Sequence, residues 1–337
     1  MVMKEPYPLK IDAYAHIVPP RYAKEIEKLV PSIYDQQIKP CPVLYDLDAR
    51  FRVMDKYEPL RQVLTLGRIP TEHLAGPEKA AELARIANDE MAELVSKYRD
   101  RFCGALATIS MTDMDEALKE IDRCIKQLKF NGIYIHTPVD ERPLDDPEFL
   151  PVFEKMWEYD LPVALHPMRK VDHPDYLAEK ESKYMMFSLF GWPYDTTSAM
   201  ARLVFSGIME KYPGLKVVTH HLGGMVSFYA ERIRQFAQLH ILRYGNDSQL
   251  KKDPIDYFKM FYADTAIYGN TPGLMCGFDF FGADRILFGI DFPLGDIENG
   301  DRNYRQTINA IEAMPISDED KKKIYEGNAR KLMRLPV

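Results

Sequence analysis

Some of the scarcest polar residues in this chain fall where they can do metal chemistry. Only 8 of the 337 residues are histidine, and His16, His166 and the pair His220-His221 each close a short apolar run, KIDAYAH, LPVALH and LKVVTHH. Asp291 closes a fourth, RILFGID. Two neutral imidazoles and one carboxylate, with positions left for water and substrate, suit zinc, or else manganese, acting as a Lewis acid. The carboxylate has a second use, since it can also accept a proton from a bound water or a substrate hydroxyl. By the two-residue period of a strand, Asp12 and Tyr14 share the face of His16. Tyr14 sits about 7 Å deeper by strand rise, where its phenol either reaches the same ion or packs. Taken singly, a histidine at a strand end is most often a hydrogen-bonded structural residue, and an Asp after FGI can cap a helix. The argument rests on several such residues meeting.

Elements that would make them meet are legible in the hydrophobic pattern. Apolar or β-branched runs recur at 9–15, 61–66, 103–109, 132–136, 162–166, 215–220, 260–265 and 285–290. Stretches with three-to-four spacing lie between them, clearest at 77–100, 114–129, 147–160 and 197–213. Alternation of this kind predicts a parallel sheet with helical crossovers. An open doubly wound sheet gives a similar trace, but His and Asp end the first, fifth, sixth and eighth runs, which lie close together only if the sheet closes. No GxGxxG follows the first run, so a dinucleotide fold lacks its usual support. The expected fold is therefore a distorted (β/α)8 TIM barrel in a single domain, 1–337.

Two long segments interrupt the alternation. Residues 17–60 carry Pro19, Pro20, Pro31, Pro40 and Pro42, and 167–196 carry six aromatic residues between Tyr176 and Tyr194. Both follow runs that end in His, so both are expected as loop insertions, after strands 1 and 5, that wall a pocket. The tail 315–334 reads as a closing helix with Ser317 as N-cap and an acidic first turn. In HHLGG (220–224) one imidazole is expected to face the barrel mouth and the other to pack outward. His221 is the expected inward one, because Gly223-Gly224 lets backbone approach a ligand; there it is a general acid/base or a polarising group. The alternative is that both are structural. His136, ending the fourth run, either touches substrate from the rim or is a packed polar residue.

Composition excludes several classes. The net charge of -7 is spread along the chain without a basic cluster, which gives nucleic acid no footprint. The start MVMKEPYPLKIDAYAH lacks a signal-like apolar core, and no stretch approaches the roughly 18 apolar residues of a membrane span. A cytoplasmic protein is expected. Cys41, Cys103, Cys124 and Cys276 fit neither CxxC nor a disulfide framework and read as small buried hydrophobes.

Nearly end to end, the chain resembles the amidohydrolase superfamily, in the branch that holds α-amino-β-carboxymuconate-ε-semialdehyde decarboxylase and γ-resorcylate decarboxylase. The likeness is carried by KIDAYAHIVP, NGIYIHTPVDERPLDDPEF, VALHP, GWPYDTTSAMARLVF, VVTHHLGG, ILFGIDFP and GNARKLM. It implies one divalent metal, zinc before manganese, with His16, His166 and Asp291 at ligand positions and His221 as the catalytic histidine. It also implies substrate contacts from Trp192 in GWPYDTT and a carboxylate clamp at Arg50, and a homodimer or higher homo-oligomer. The chain departs from the family where the first strand carries a further His or Glu ligand, since Tyr14 stands there. A phenol with a pKa of about 10 ligates poorly near neutrality, although a dication can lower it. Either Tyr14 binds the ion, or water takes its place, or the metal is lost.

The expected activity is non-oxidative decarboxylation of an aromatic or unsaturated hydroxylated carboxylic acid, with His221 and Asp291 managing the proton. One rival is hydrolysis or hydration by a metal-bound water. Another is a metal-free binding protein on a degenerate barrel.

Overall fold

The computed structural model describes residues 8–67, 69–245 and 250–336. Among the described residues nine short strands run in parallel: β1 (Lys10–Ile17), β2 (Leu60–Leu66), β3 (Phe102–Ala105), β4 (Ala107–Thr108), β5 (Ile133–Thr137), β6 (Val163–Pro167), β7 (Val217–Thr219), β8 (Tyr262–Asp264) and β9 (Ile286–Leu287). They pair as β1-β2-β3 and as β4 through β9 in sequence order. The two sheets are one cylinder. Between β3 and β4 the Leu106 N–H donates to the Leu64 carbonyl (2.9 Å), so these two pieces form a single interrupted stave. At the other seam Ala13 N–H donates to the Phe288 carbonyl (2.9 Å) and His16 N–H to that of Phe292 (2.7 Å), which closes β1 onto the chain after β9. The architecture is a (β/α)8 barrel.

Every residue of β1 is buried, as expected where strands face a core inside and helices outside. One apolar cluster lies between strands and helices, and a smaller one runs from Tyr14 and Tyr134 down to Leu332, Met333 and Leu335 at the barrel floor. Helices Pro77–Lys97 and Met114–Lys126 lie where the periodicity puts them. The stretch 147–160 divides into a 3-10 turn, Pro147–Phe149, and a helix, Leu150–Tyr159. The helix expected at 197–213 instead begins at Trp192 and ends at Phe205, because Gly207 adopts a left-handed conformation (φ 83°) before a last turn, Ile208–Lys211. Ser317 caps the closing segment through a hydrogen bond from Asp320 N–H (3.1 Å).

Strand register places the site. His136 and His166 are paired neighbours on β5 and β6, and His16 lies beside Thr65 on β2. Downstream ends of β1, β6, β7 and β8, together with the chain beyond β9, therefore meet at one mouth.

Candidate metal centre

Four side chains converge at that mouth. Donor atoms of His16, His166, His220 and Asp291 all lie within 4.8 Å of one another, and all four residues are buried. Asp291 Oδ1 is 2.9 Å from His16 Nε2, 3.2 Å from His220 Nε2 and 3.9 Å from His166 Nε2. None of the three Nε2 atoms, nor either Asp291 oxygen, makes a hydrogen bond. Burying so many unsatisfied polar atoms is costly unless something satisfies them together. Opposite edges of the rings are fixed: His16 Nδ1 contacts Thr65 Oγ1 (2.9 Å), His166 Nδ1 contacts the Pro167 carbonyl (2.7 Å), and His220 Nδ1 pairs with Asp264. Outer-edge anchors that turn free nitrogens toward a carboxylate are the arrangement in which proteins hold a divalent ion. The donor set fits one.

Electrostatics agree. Burial pushes His16 down and His166 down to about 4, so both stay neutral and able to ligate. Burial also acts on His220, but the carboxylates of Asp264 and Asp291 outweigh it and raise this histidine to about 10. Asp291 is held well below the usual carboxylate range: burial opposes ionisation, and the charge of His220 with the contacts from His16 and His166 overcomes it. Asp291 itself is in the left-handed region (φ 62°), a conformation of the kind stored at functional sites.

Above the cluster opens a pocket of about 1140 Å³, walled by Met168, Phe187, Trp192, Ile267 and Tyr268 and floored by His166 and His221. The chain between β6 and the helix Trp192–Phe205 contributes more of this wall than any other connecting segment. His221 Nδ1 is buried without a partner, and its ring lies 6.2 Å from that of Trp192 and 6.3 Å from that of His166. Neighbouring polar groups on the wall include Arg169, held by Asp195 (2.9 Å), and Glu72, whose carboxyl is pushed up to about 7 by burial.

The remaining expected site residues are placed as follows. His136 is buried, with its ring 5.7 Å from that of His166 and its basicity depressed by burial. Trp192 stands on the pocket wall, its Nε1 donating to the Arg169 carbonyl (3.1 Å). Tyr14 is directed elsewhere: its hydroxyl donates to the Val218 carbonyl (3.2 Å) and the Leu165 carbonyl (3.4 Å). Arg50 corrects the expectation of a carboxylate clamp. It lies in the helix Leu47–Met54, which Asp46 caps, and is fully buried. Its Nε donates to Gln62 Oε1 (2.7 Å) and its Nη1 to the His16 carbonyl (2.8 Å), while the guanidinium covers the Phe292 ring at 4.8 Å. Arg50 braces the end of β1 and is walled off from the pocket.

The paired imidazoles also differ from expectation, since both turn toward the site. β7 ends at Thr219 and His221 takes φ 51°, so the alternation of a strand no longer applies and the two rings lie 4.3 Å apart. Sequence reasoning missed His220 as a donor and missed Asp264 altogether. The signal for Asp264 was present, for it ends the seventh apolar run as Asp291 ends the eighth.

The sequence profile described as amidohydrolase matches residues 11–335. Among curated relatives, γ-resorcylate decarboxylase of a Polaromonas species is 30% identical over 295 residues, covering 86% of this chain and 87% of its own. Among solved structures, 5-carboxyvanillate decarboxylase from Sphingomonas paucimobilis superposes with a TM-score of 0.84 at 25% identity, over 97% of this chain and 99% of that one. A dihydroxybenzoic acid decarboxylase from Polaromonas, solved with manganese and the inhibitor 2-nitroresorcinol, superposes with a TM-score of 0.78 at 26% identity, over 97% of each chain.

Proposed function

This chain belongs to the amidohydrolase family, and from that membership together with its buried donor cluster we propose that it is a divalent-metal-dependent, non-oxidative decarboxylase of a hydroxylated aromatic acid. The observation that carries the reading is the set of unsatisfied, inward-turned nitrogens and carboxylate oxygens directly beneath an aromatic-walled pocket. His16, His166 and Asp291 hold the ion. When bound, it supplies a positive charge that fixes an oxygen of the substrate and stabilises negative charge as it develops.

The protein's own groups do the rest. Trp192 and Phe187 offer faces for a flat ring. His221 is neutral, its basicity lowered well below the ordinary value by burial and by His220. An anionic substrate beside it favours the protonated form, and its unpartnered Nδ1 is where that proton sits. His221 then delivers that proton to the ring carbon that bears the carboxylate, while ionised Asp291 stabilises the imidazolium from which it comes. The carbon–carbon bond breaks, its electron pair stays with the ring to form the new C–H bond, and CO2 leaves.

The test is turnover of a panel of hydroxybenzoates, including 2,6-dihydroxybenzoate and 5-carboxyvanillate, in D2O containing ¹⁸O-water. Phenol and CO2 in equal amounts, deuterium at the vacated carbon and no ¹⁸O in the organic product support decarboxylation. Incorporation of ¹⁸O into that product replaces it with hydrolysis or hydration.

Three imidazoles and a carboxylate at the site favour zinc, with manganese, the ion of the Polaromonas structure, as the competitor. Elemental analysis of protein purified without chelator decides between them. We further propose that the enzyme is cytoplasmic and forms a homodimer or a higher homo-oligomer. Supporting this, no described helix is long and apolar enough to cross a membrane, and the helix Ala230–Tyr244 buries none of its residues while exposing Phe236, Ile241 and Leu242.

A further inference from the structure

We propose that His220, oriented by Asp264, is the fourth ligand of the ion, and that Tyr14 is not a ligand but a strut that fixes the strands carrying His166 and His220. The inference deepens the proposed function and rests on its metal-binding part alone.

Asp264 is placed to orient one ring and nothing else. Its Oδ1 accepts hydrogen bonds from the backbone N–H groups of Leu222 and Ala266, both at 3.0 Å, so the carboxylate is locked between the turn after β7 and the turn after β8. Its Oδ2 faces His220 Nδ1. With Nδ1 engaged in this way, the neutral ring carries its proton there and presents the Nε2 lone pair to the cluster. That Nε2 is fully buried, 3.2 Å from Asp291 Oδ1, and makes no hydrogen bond. His220 itself has no exposed surface and, unlike His166 and His221, does not line the open pocket. Contact with an ion is therefore open to it, and contact with substrate is not.

Tyr14 lies beneath with its ring 4.6 Å from that of His220. Its hydroxyl has already given its hydrogen to the Val218 and Leu165 carbonyls, one on β7 and one on β6. Those carbonyls belong to the residue just before His166 and to the residue two before His220. A phenol whose hydroxyl is turned to two backbone carbonyls and donates to them is a poor metal donor. The third imidazole thus fills the coordination position that the phenol leaves.

Cobalt(II) titration of the metal-free chain tests this without any substrate. Wild-type protein should take up one ion with a visible d–d spectrum, and its affinity should follow from competition with a chromophoric chelator. Asp264→Asn, which keeps the shape of the side chain but removes its charge, should weaken binding about 10- to 100-fold, the usual cost of losing such an orienting carboxylate. His220→Ala should weaken it further and alter the d–d bands, because a nitrogen donor is gone. Tyr14→Phe should leave the d–d bands unchanged, because no donor atom is lost, with at most a small loss of affinity from the missing strut. Circular dichroism of each metal-free variant establishes that it folds, and if His220→Ala does not, Asp264→Asn carries the test. Unchanged binding in Asp264→Asn, or altered d–d bands in Tyr14→Phe, would overturn the assignment. Since the readout is metal binding, loss of decarboxylation with this ligand pattern intact would count against the proposed reaction and not against the ligand set.

Discussion

His221 carries the proposed proton transfer while standing apart from the ion's ligands, so its replacement separates chemistry from metal binding. His221→Asn should keep one ion per chain by elemental analysis and lower kcat by about 10²- to 10⁴-fold, the range for a lost general acid/base. Loss of the ion with the activity would instead make His221 a ligand. A second prediction concerns His220, whose raised value of about 10 means that the metal-free protein holds a proton there at neutral pH. Metal uptake should release about one proton per ion, seen by calorimetry as a binding heat that varies with the ionisation enthalpy of the buffer. A heat independent of buffer would contradict it. At this scale the convergence of His16, His166 and Asp291 was legible from polar residues that end apolar runs, although the same signal at Asp264 went unread. It misled at Arg50, because nothing local distinguishes a guanidinium that braces backbone from one that grips a ligand. His220-His221 was unreadable for a stereochemical reason: two consecutive residues point oppositely only while the strand continues, and β7 stops one residue too soon.

The turn after β7 is the element on which the catalytic geometry depends. Residues 221–224 all have positive φ, and Gly224 (φ 63°, ψ -118°) is in a region that a side chain scarcely tolerates. A Cβ there would stand 2.4 Å from the Pro193 carbonyl oxygen and 2.6 Å from Thr197 Oγ1. Gly224→Ala should therefore destabilise the protein by about 1–3 kcal/mol and lower kcat as well, because the same turn aims His221. Denaturant unfolding together with steady-state kinetics checks both, and wild-type stability would contradict the account. Strand positions were legible because buried parallel strands are continuous apolar runs. Their lengths were less so: the third stave breaks at Leu106, and β9 keeps only two residues in register. The helix from Trp192 was placed too late, because its first turns carry the aromatic and polar residues of the pocket wall and not a core-facing period.

For the whole molecule, burial of neutral histidines makes the metal-free barrel sensitive to acid. His166, at about 4 when folded, titrates near 6.5 when unfolded, so the unfolded chain takes up the proton first. Its contribution, at most about 3 kcal/mol by the pKa difference, is whole above pH 6.5 and is lost as the pH falls toward 4. Glu72, raised to about 7, contributes with the opposite sign over the same window, so the His166 contribution is read by comparison: between pH 6.5 and 4 the metal-free His166→Gln variant should lose less melting temperature than wild type, and equal losses would oppose it. Ion at a hundredfold over its Kd should add about 2.7 kcal/mol, and chelation should remove it. Closure of the barrel was legible because polar ends of distant runs make chemical sense only when brought together. That residues 167–196 would wall the pocket was legible, but the path they take was not, since 168–191 follow no period.

Anomalous diffraction from crystals grown with manganese or zinc tests the central claim most directly. The account predicts one strong peak about 2.0–2.2 Å from the Nε2 atoms of His16, His166 and His220 and from an Asp291 oxygen, with the Tyr14 hydroxyl out of reach. A peak elsewhere, or none at that cluster in crystals saturated with the ion, would contradict it.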